Sequence, residues 1–257
     1  MATVSRSSDG GCRIEGAPGV RAAIRGYGER IVSYALPMAL TRAAIDARNE
    51  TRNAMGSIFD RPTPYTLNSL QAIPATRKNP ASAVEFRLFS GKGTPAPEYL
   101  LPQVDGGPRR LKRHERALQS AGFLPNGWFA VPGEEAQLDA YGNMKRGQIV
   151  KILSHLRAFG SAGSNLNRSR TTKSRGVRRK EGYFPAKPGN REGLPPGIYQ
   201  RDGADARPVL IFVARAPAYQ PRFRFHAIVQ ATVRRRIKEH FDVALAHIAR
   251  RFSAPRL

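Results

Sequence analysis

The residues best suited to do chemistry are three carboxylates, Glu134, Glu135 and Asp139, close in sequence to Tyr141 and followed by His155. Carboxylates at a useful separation move protons or hold a metal ion. Two adjacent carboxylates diverge on a helix, however, and no second acidic cluster completes a site. The plainer reading is an acidic helix start, where negative charge favours the helix dipole. Five histidines, His114, His155, His226, His240 and His247, are scattered, and none stands at metal spacing from a cysteine or carboxylate. His240 and His247 fall two turns apart on one helix side, which suits packing or a surface position. The stretch SGKGTP (90–95) lacks the GxxxxGK[ST] spacing of a phosphate loop and opens no helix. Ser154 precedes His155 without the elbow context that activates a nucleophilic serine. The residues therefore predict no catalytic centre, no metal, no cofactor and no small-molecule substrate.

A second kind of chemistry is charge. Arg168, Arg170, Lys173, Arg175, Arg178, Arg179 and Lys180 crowd one stretch that is almost free of apolar residues. An extended arm of this spacing tracks phosphates by charge. It carries no promise of base-specific readout, which needs an ordered element. The alternative is a solvated loop ordered only by acidic neighbours. RRLKRHER (109–116) offers a second basic face, half of which packs through Leu111 and the apolar residues after it.

The whole chain shares this bias. Its 257 residues carry 43 Lys and Arg against 19 Asp and Glu, a formal net charge of +24. Such a balance bears on partners rather than on fold, and the partners it selects are nucleic acid or acidic protein surfaces. Arginine outnumbers lysine, and its forked geometry suits carboxylates as well as phosphates. A hydrophobic fraction of 40% excludes wholesale disorder. A chain this long buries roughly 70–75% of its unfolded surface, so it needs neither disulfide nor metal for stability. Cys12 is the single cysteine and has no internal partner, which fits synthesis in a reducing cytoplasm. The start MATVSRSSDGG lacks the apolar core of a signal peptide, and no apolar run long enough to span a membrane occurs.

The elements that must position these residues follow from periodicity. Residues 1–17, rich in Ser and Gly, predict a flexible tail. A helix is expected over 18–34, with Val20, Ile24, Ile31 and Val32 on one side. Pro37 breaks it or starts the next, over 36–57, with a small-residue stripe of Leu36, Leu40, Ala44, Ala47, Ala54 and Met55. Residues 59–80 then read as an extended strap, stiffened by Pro62, Pro64 and Pro74 and anchored by Tyr65, Leu67, Leu70 and Ile73. Alternation predicts a strand over 82–89. Residues 91–160 read as a helical and irregular insertion, with helices near 109–122 and 146–160, and 161–183 as a basic loop or arm. GIYQRD and PVLIFV read as a hairpin through Gly203. The strongest helix lies over 225–252, where Val229, Val233, Ile237, Phe241, Leu245, Ile248 and Phe252 recur every three or four residues. The expected class is α+β: a small, mostly antiparallel sheet packed by long N- and C-terminal helices. Its core domain is formed by 18–90 and 184–257, interrupted by the insertion.

Three stretches carry a resemblance. The opening GVRAAIRGYGERIVSYALPMALTRAAIDARNETRNAM, the entry ATRKNPASAVEFRL into a first strand, and GIYQRDGADARPVLIFVARAPAY before a long amphipathic helix are similar to minor tail protein Z and related tail-completion proteins of tailed bacteriophages. The likeness covers residues 18–90 and 195–252. Phrases of the insertion, such as YLLPQVDGGPRRLKRHERAL, resemble further phage and prophage proteins. The resemblance implies a structural virion protein, not an enzyme. It implies a sixfold ring of this chain at the top of the tail, joining tail to head. The partners implied are neighbouring neck, connector and tail-tube proteins, with contact to packaged DNA, and the expected location is the virion after synthesis in the bacterial cytoplasm. Within that reading, the strap residues Pro62, Pro64, Tyr65, Leu67, Leu70 and Ile73 form an intersubunit contact. Arg168 to Lys180 form the contact to DNA or an acidic partner. The competing reading is a basic nucleic-acid-binding protein of phage or mobile-element origin.

Overall fold

A computed structural model describes residues 2–88, 94–160, 181–190, 193–203, 205–215 and 218–253. The chain forms two compact units. One comprises residues 1–107 and 220–257, the other residues 108–219.

The first unit is built on two long helices and a four-stranded antiparallel sheet. Its strands are β1 (Thr3–Arg6), β2 (Cys12–Glu15), β3 (Leu70–Ile73) and β4 (Ala81–Phe86), in the order β1-β2-β4-β3. A short helix α1 (Val20–Tyr27) leads into α2 (Glu29–Ile58); α3 (Pro64–Leu67), α4 (Pro97–Asp105) and finally α7 (Phe225–Ser253) follow. Helices α2 and α7 run antiparallel and pack along their lengths. Their register is fixed by Tyr34 against Phe252, His240 with Asp46 at 2.8 Å, and Arg235 with Glu50. Ala35, Ala39, Ala43, Ala44 and Ala47 are fully buried along α2. Side chains this small let a neighbouring backbone approach closely, as a helix seated between a sheet and a second helix requires.

Two expectations fail here. The break between the first helices falls at Gly28, which takes φ 81° and ψ 154°, and not at Pro37. Pro37 lies buried inside α2, which continues through it. The ring removes one backbone donor, but the run of alanines on either side sustains the helix. The N-terminal segment is no flexible tail. Its serines and glycines make the turn of a β1–β2 hairpin, closed by the Ser7 amide donating to the Gly11 carbonyl at 2.9 Å. Cys12 and Ile14 face the core while Arg13 and Glu15 face out.

The second unit carries a four-stranded antiparallel sheet in the order β6-β9-β8-β7. Its strands are β6 (Phe129–Pro132), β7 (Glu181–Ala186), β8 (Gly197–Asp202) and β9 (Asp205–Val213). Two-residue strands, β5 (Gly107–Pro108) and β10 (Ala218–Tyr219), stand at the points in sequence where the chain passes between units. Helices α5 (Arg113–Ser120) and α6 (Arg146–His155) join the sheet in one apolar cluster of Leu118, Ile152, Leu153, Ile198, Leu210 and Phe212. The β8–β9 hairpin forms where the sequence places it. Its register shifts at Ile198/Tyr199, which leaves Val209 as the extra residue and buries both Val209 and Leu210 in that cluster. Gly197 is required there, because a Cβ would lie 2.3 Å from the Leu210 carbonyl oxygen.

The α+β class therefore holds, but the domain boundaries move. The segment 184–219 belongs to the second unit, so the expected core of 18–90 with 184–257 is divided; the insertion 91–160 is helical and irregular, as expected, apart from the short strands β5 and β6. The reason is pairing: β8 and β9 hydrogen-bond to β7 and β6, in a sheet separate from the β1-β2-β4-β3 ladder.

Candidate functional site

Among the carboxylates singled out by sequence, none gathers into a reactive group. No helix starts at Glu134, so the expected acidic helix start is replaced by a loop after β6. Glu135 pairs with Arg207 at 2.8 Å, an exposed bond across to β9. Asp139 accepts hydrogen bonds from the Tyr141 and Asn143 amides, both at 2.9 Å, and so shapes its own turn. The His155 ring meets Tyr183 edge-on. Among the described residues, no group of three or more His, Cys, Asp or Glu is placed to hold a metal ion. Among them, too, no helix is long and apolar enough to cross a membrane.

Among the described residues, Glu115 is a heavily engaged charge that carries no motif of its own. Glu115, on the first turn of α5, has a fully buried side chain. Its carboxylate receives both arms of Arg109 at 2.6 and 2.7 Å, the Lys112 amide at 2.6 Å and the Ala130 amide at 2.8 Å. Arg109 also covers the Phe129 ring. Burial alone pushes this carboxyl up, but the hydrogen bonds from Arg109, Ala130 and Lys112 outweigh it and hold Glu115 below its ordinary value. One carboxylate thus ties the α5 start to β6. The signal was present as spacing: an acid at the third helical position is half of a capping box. Beside it, His114 is pushed down to about 4, by burial first and by Lys112 and Arg109 as well.

In the first unit the buried Cys12 Sγ lies 3.1 Å from His226 Nδ1. Burial pushes the thiol up to about 12, so it is a neutral, unreactive packing group. Burial also pushes His226 down, helped by the charge of Arg6. A neutral thiol against a neutral imidazole is a structural pair.

The strap folds onto its own unit. Thr63 caps α3, its Oγ1 accepting the Thr66 amide at 3.1 Å, and Pro64 occupies the first turn. Residues 70–73 are β3, paired to β4 with Leu70 opposite Phe86. Leu70 is 3% exposed and belongs to the core; Leu67 packs against it. The free extended strap is thereby corrected: proline stiffening here builds a capped turn and an edge strand. Tyr65 and Ile73 remain exposed. Where the chain leaves β3, the Ala75 amide donates to Thr41 Oγ1, and an open groove of about 270 Å³ runs along Pro37, Met38, Thr41, Arg42 and Ala75. Arg77 stacks on Tyr34 at 3.9 Å and donates to its hydroxyl beside it. Arg168, Arg170, Lys173, Arg175, Arg178, Arg179 and Lys180 lie outside the described residues.

Comparison with protein-family models, with curated proteins and with solved structures returns no match.

Proposed function

We propose that this chain is a structural protein of a tailed bacteriophage, acting without catalysis as a ring of identical copies that completes the tail top and joins it to the head. The observation that supports this reading is the architecture of the first unit. Over residues 18–90 and the C-terminal helix its order of elements is the one the resemblance implies: a short helix and a long one, a proline-rich passage, a strand, and a closing amphipathic helix on a small sheet; the hairpin of 197–213, also part of the resemblance, lies in the second unit. Tyr65, Ile73 and the groove beside Ala75 supply apolar surface on the same segment that the reading assigns to contact between copies. Copies at +24 each repel one another unless neutralised, so the ring is stable against acidic partners or packaged DNA and weak by itself.

Electron microscopy of intact particles, with this chain located by labelled antibody, tests the reading. Density in a ring at the tail top is the expected outcome; a single free copy, or absence from the particle, overturns it. Sedimentation of the purified chain adds a second measure. Tight rings at low salt without a partner would contradict the electrostatic part.

A further inference from the structure

The sheet of the second unit is clothed on one face by α5 and α6. Its other face carries a group that the tail reading does not use. Phe184 on β7 stands directly opposite Tyr199 on β8, and their rings stack at 5.8 Å and 27°. Arg201, the next residue on that side of β8, places its guanidinium 4.7 Å from the Phe184 centroid. Strand alternation puts these three away from Ile198 and Tyr183, which belong to the apolar cluster shared with the helices. Tyr199 is 3% exposed and forms the floor, its hydroxyl donating to the Pro195 carbonyl. Phe184 and Arg201 are half-buried and reach solvent. The adjoining loop is held by the Asn190 side chain, which donates to the Lys187 and Leu194 carbonyls and accepts the Leu194 amide.

We propose that this face binds single-stranded nucleic acid, with a base stacked on the Arg201–Phe184 pair. A guanidinium over an aromatic ring offers two recognition elements: its plane, which takes another flat π system, and its N–H edge, which takes phosphate oxygens. A nucleotide strand offers both at once. An acidic peptide offers only the anion, which a guanidinium grips by its edge with no need of the ring. A four-stranded antiparallel sheet with helices on one face and aromatic residues on the other is an arrangement that presents rings to unstacked bases. The charge is complementary: the chain carries +24, and its densest run of cations, residues 168–180, enters β7 directly in sequence. This inference does not depend on the tail reading, since particle location and strand binding are separate measurements.

Fluorescence anisotropy of labelled oligo-dT and oligo-U with the full-length protein, across salt, tests it. Arg201→Lys keeps the charge and loses the plane; Phe184→Leu keeps apolar bulk and loses the ring. Each is expected to weaken binding about fivefold or more, the loss of one stacked base, with little change in salt slope. Arg234→Ala, which removes one exposed charge from α7, is expected to change affinity less than about twofold. Binding by either strand type supports the proposal. Unchanged affinity in both platform variants, equal affinity for duplex DNA whose bases are hidden, or no binding at all overturns it. If either variant unfolds, seen in the fluorescence of the sole tryptophan, photo-cross-linking of halogenated oligonucleotides to the unaltered protein decides. Cross-links within 182–201 support the platform; cross-links confined elsewhere sink it.

Discussion

Glu115 shows what a single buried charge does to a small unit. Four donors converge on it, and removing the charge leaves Arg109, 9% exposed, without its counter-ion. Glu115→Gln is expected to destabilise the second unit by about 3 kcal/mol or more. Trp128, the sole tryptophan, packs against that unit's apolar cluster, so its fluorescence in a urea titration reads the loss directly. An unchanged midpoint would mean the pair is dispensable. His114 adds an acid sensitivity. Its pKa falls from an ordinary 6.5 to about 4 on folding, beside Lys112, Arg109 and Glu115. The unfolded chain therefore binds a proton that the folded one refuses, and stability drops as pH falls from 6.5 toward 4. His114→Gln is expected to flatten that part of the Trp128-monitored stability profile. At lower pH Glu115 adds a further loss, since its folded-state stabilisation disappears as it protonates below its ordinary 4.5.

At the scale of elements, the N-terminal hairpin and the strap carry the lesson. Both are rich in turn formers; one reads in sequence as a flexible tail and the other as an extended strap, and neither reads as a strand of a sheet. A strand of four residues, such as Cys12–Glu15 or Leu70–Ile73, offers only two inward positions, too few for alternation to stand out. Ile14 is fully buried all the same. Ile14→Ala is expected to cost the first unit about 2–5 kcal/mol, and removing residues 1–17 to cost more, because β2 lies between β1 and β4 in the sheet. Hydrogen exchange of the α2 and α7 amides checks this. Full protection in the truncated protein would show the hairpin to be an ornament. By contrast α7 was legible over its whole length, since an apolar stripe recurring through 29 residues leaves no alternative period.

For the whole molecule, the place of β3 changes what can be asked about assembly. Deleting 62–74 would remove a strand of the core sheet and unfold the first unit, so it cannot isolate a contact between copies. Tyr65→Ala together with Ile73→Lys alters exposed side chains and leaves Leu70 in place. In the proposed ring this pair is expected to abolish assembly with acidic partners, read by sedimentation velocity, while shifting the unfolding midpoint little. Assembly at full strength in the double variant would remove this surface from the interface.

Composition and periodicity alone determined the net charge of +24, the α+β class, the long C-terminal helix and the β8–β9 hairpin. Each of these rests on residues near one another in the chain or on a sum over all of them. Only the tertiary structure decided that residues 184–219 leave the helix pair for a sheet of their own. It alone decided that Leu70 is core, that Glu115 is met by Ala130, and that Phe184, Tyr199 and Arg201 share one face. Those facts depend on which strand pairs with which across long stretches of chain. Pairing follows from burying all the apolar faces at once, and a local pattern carries no record of its distant partner.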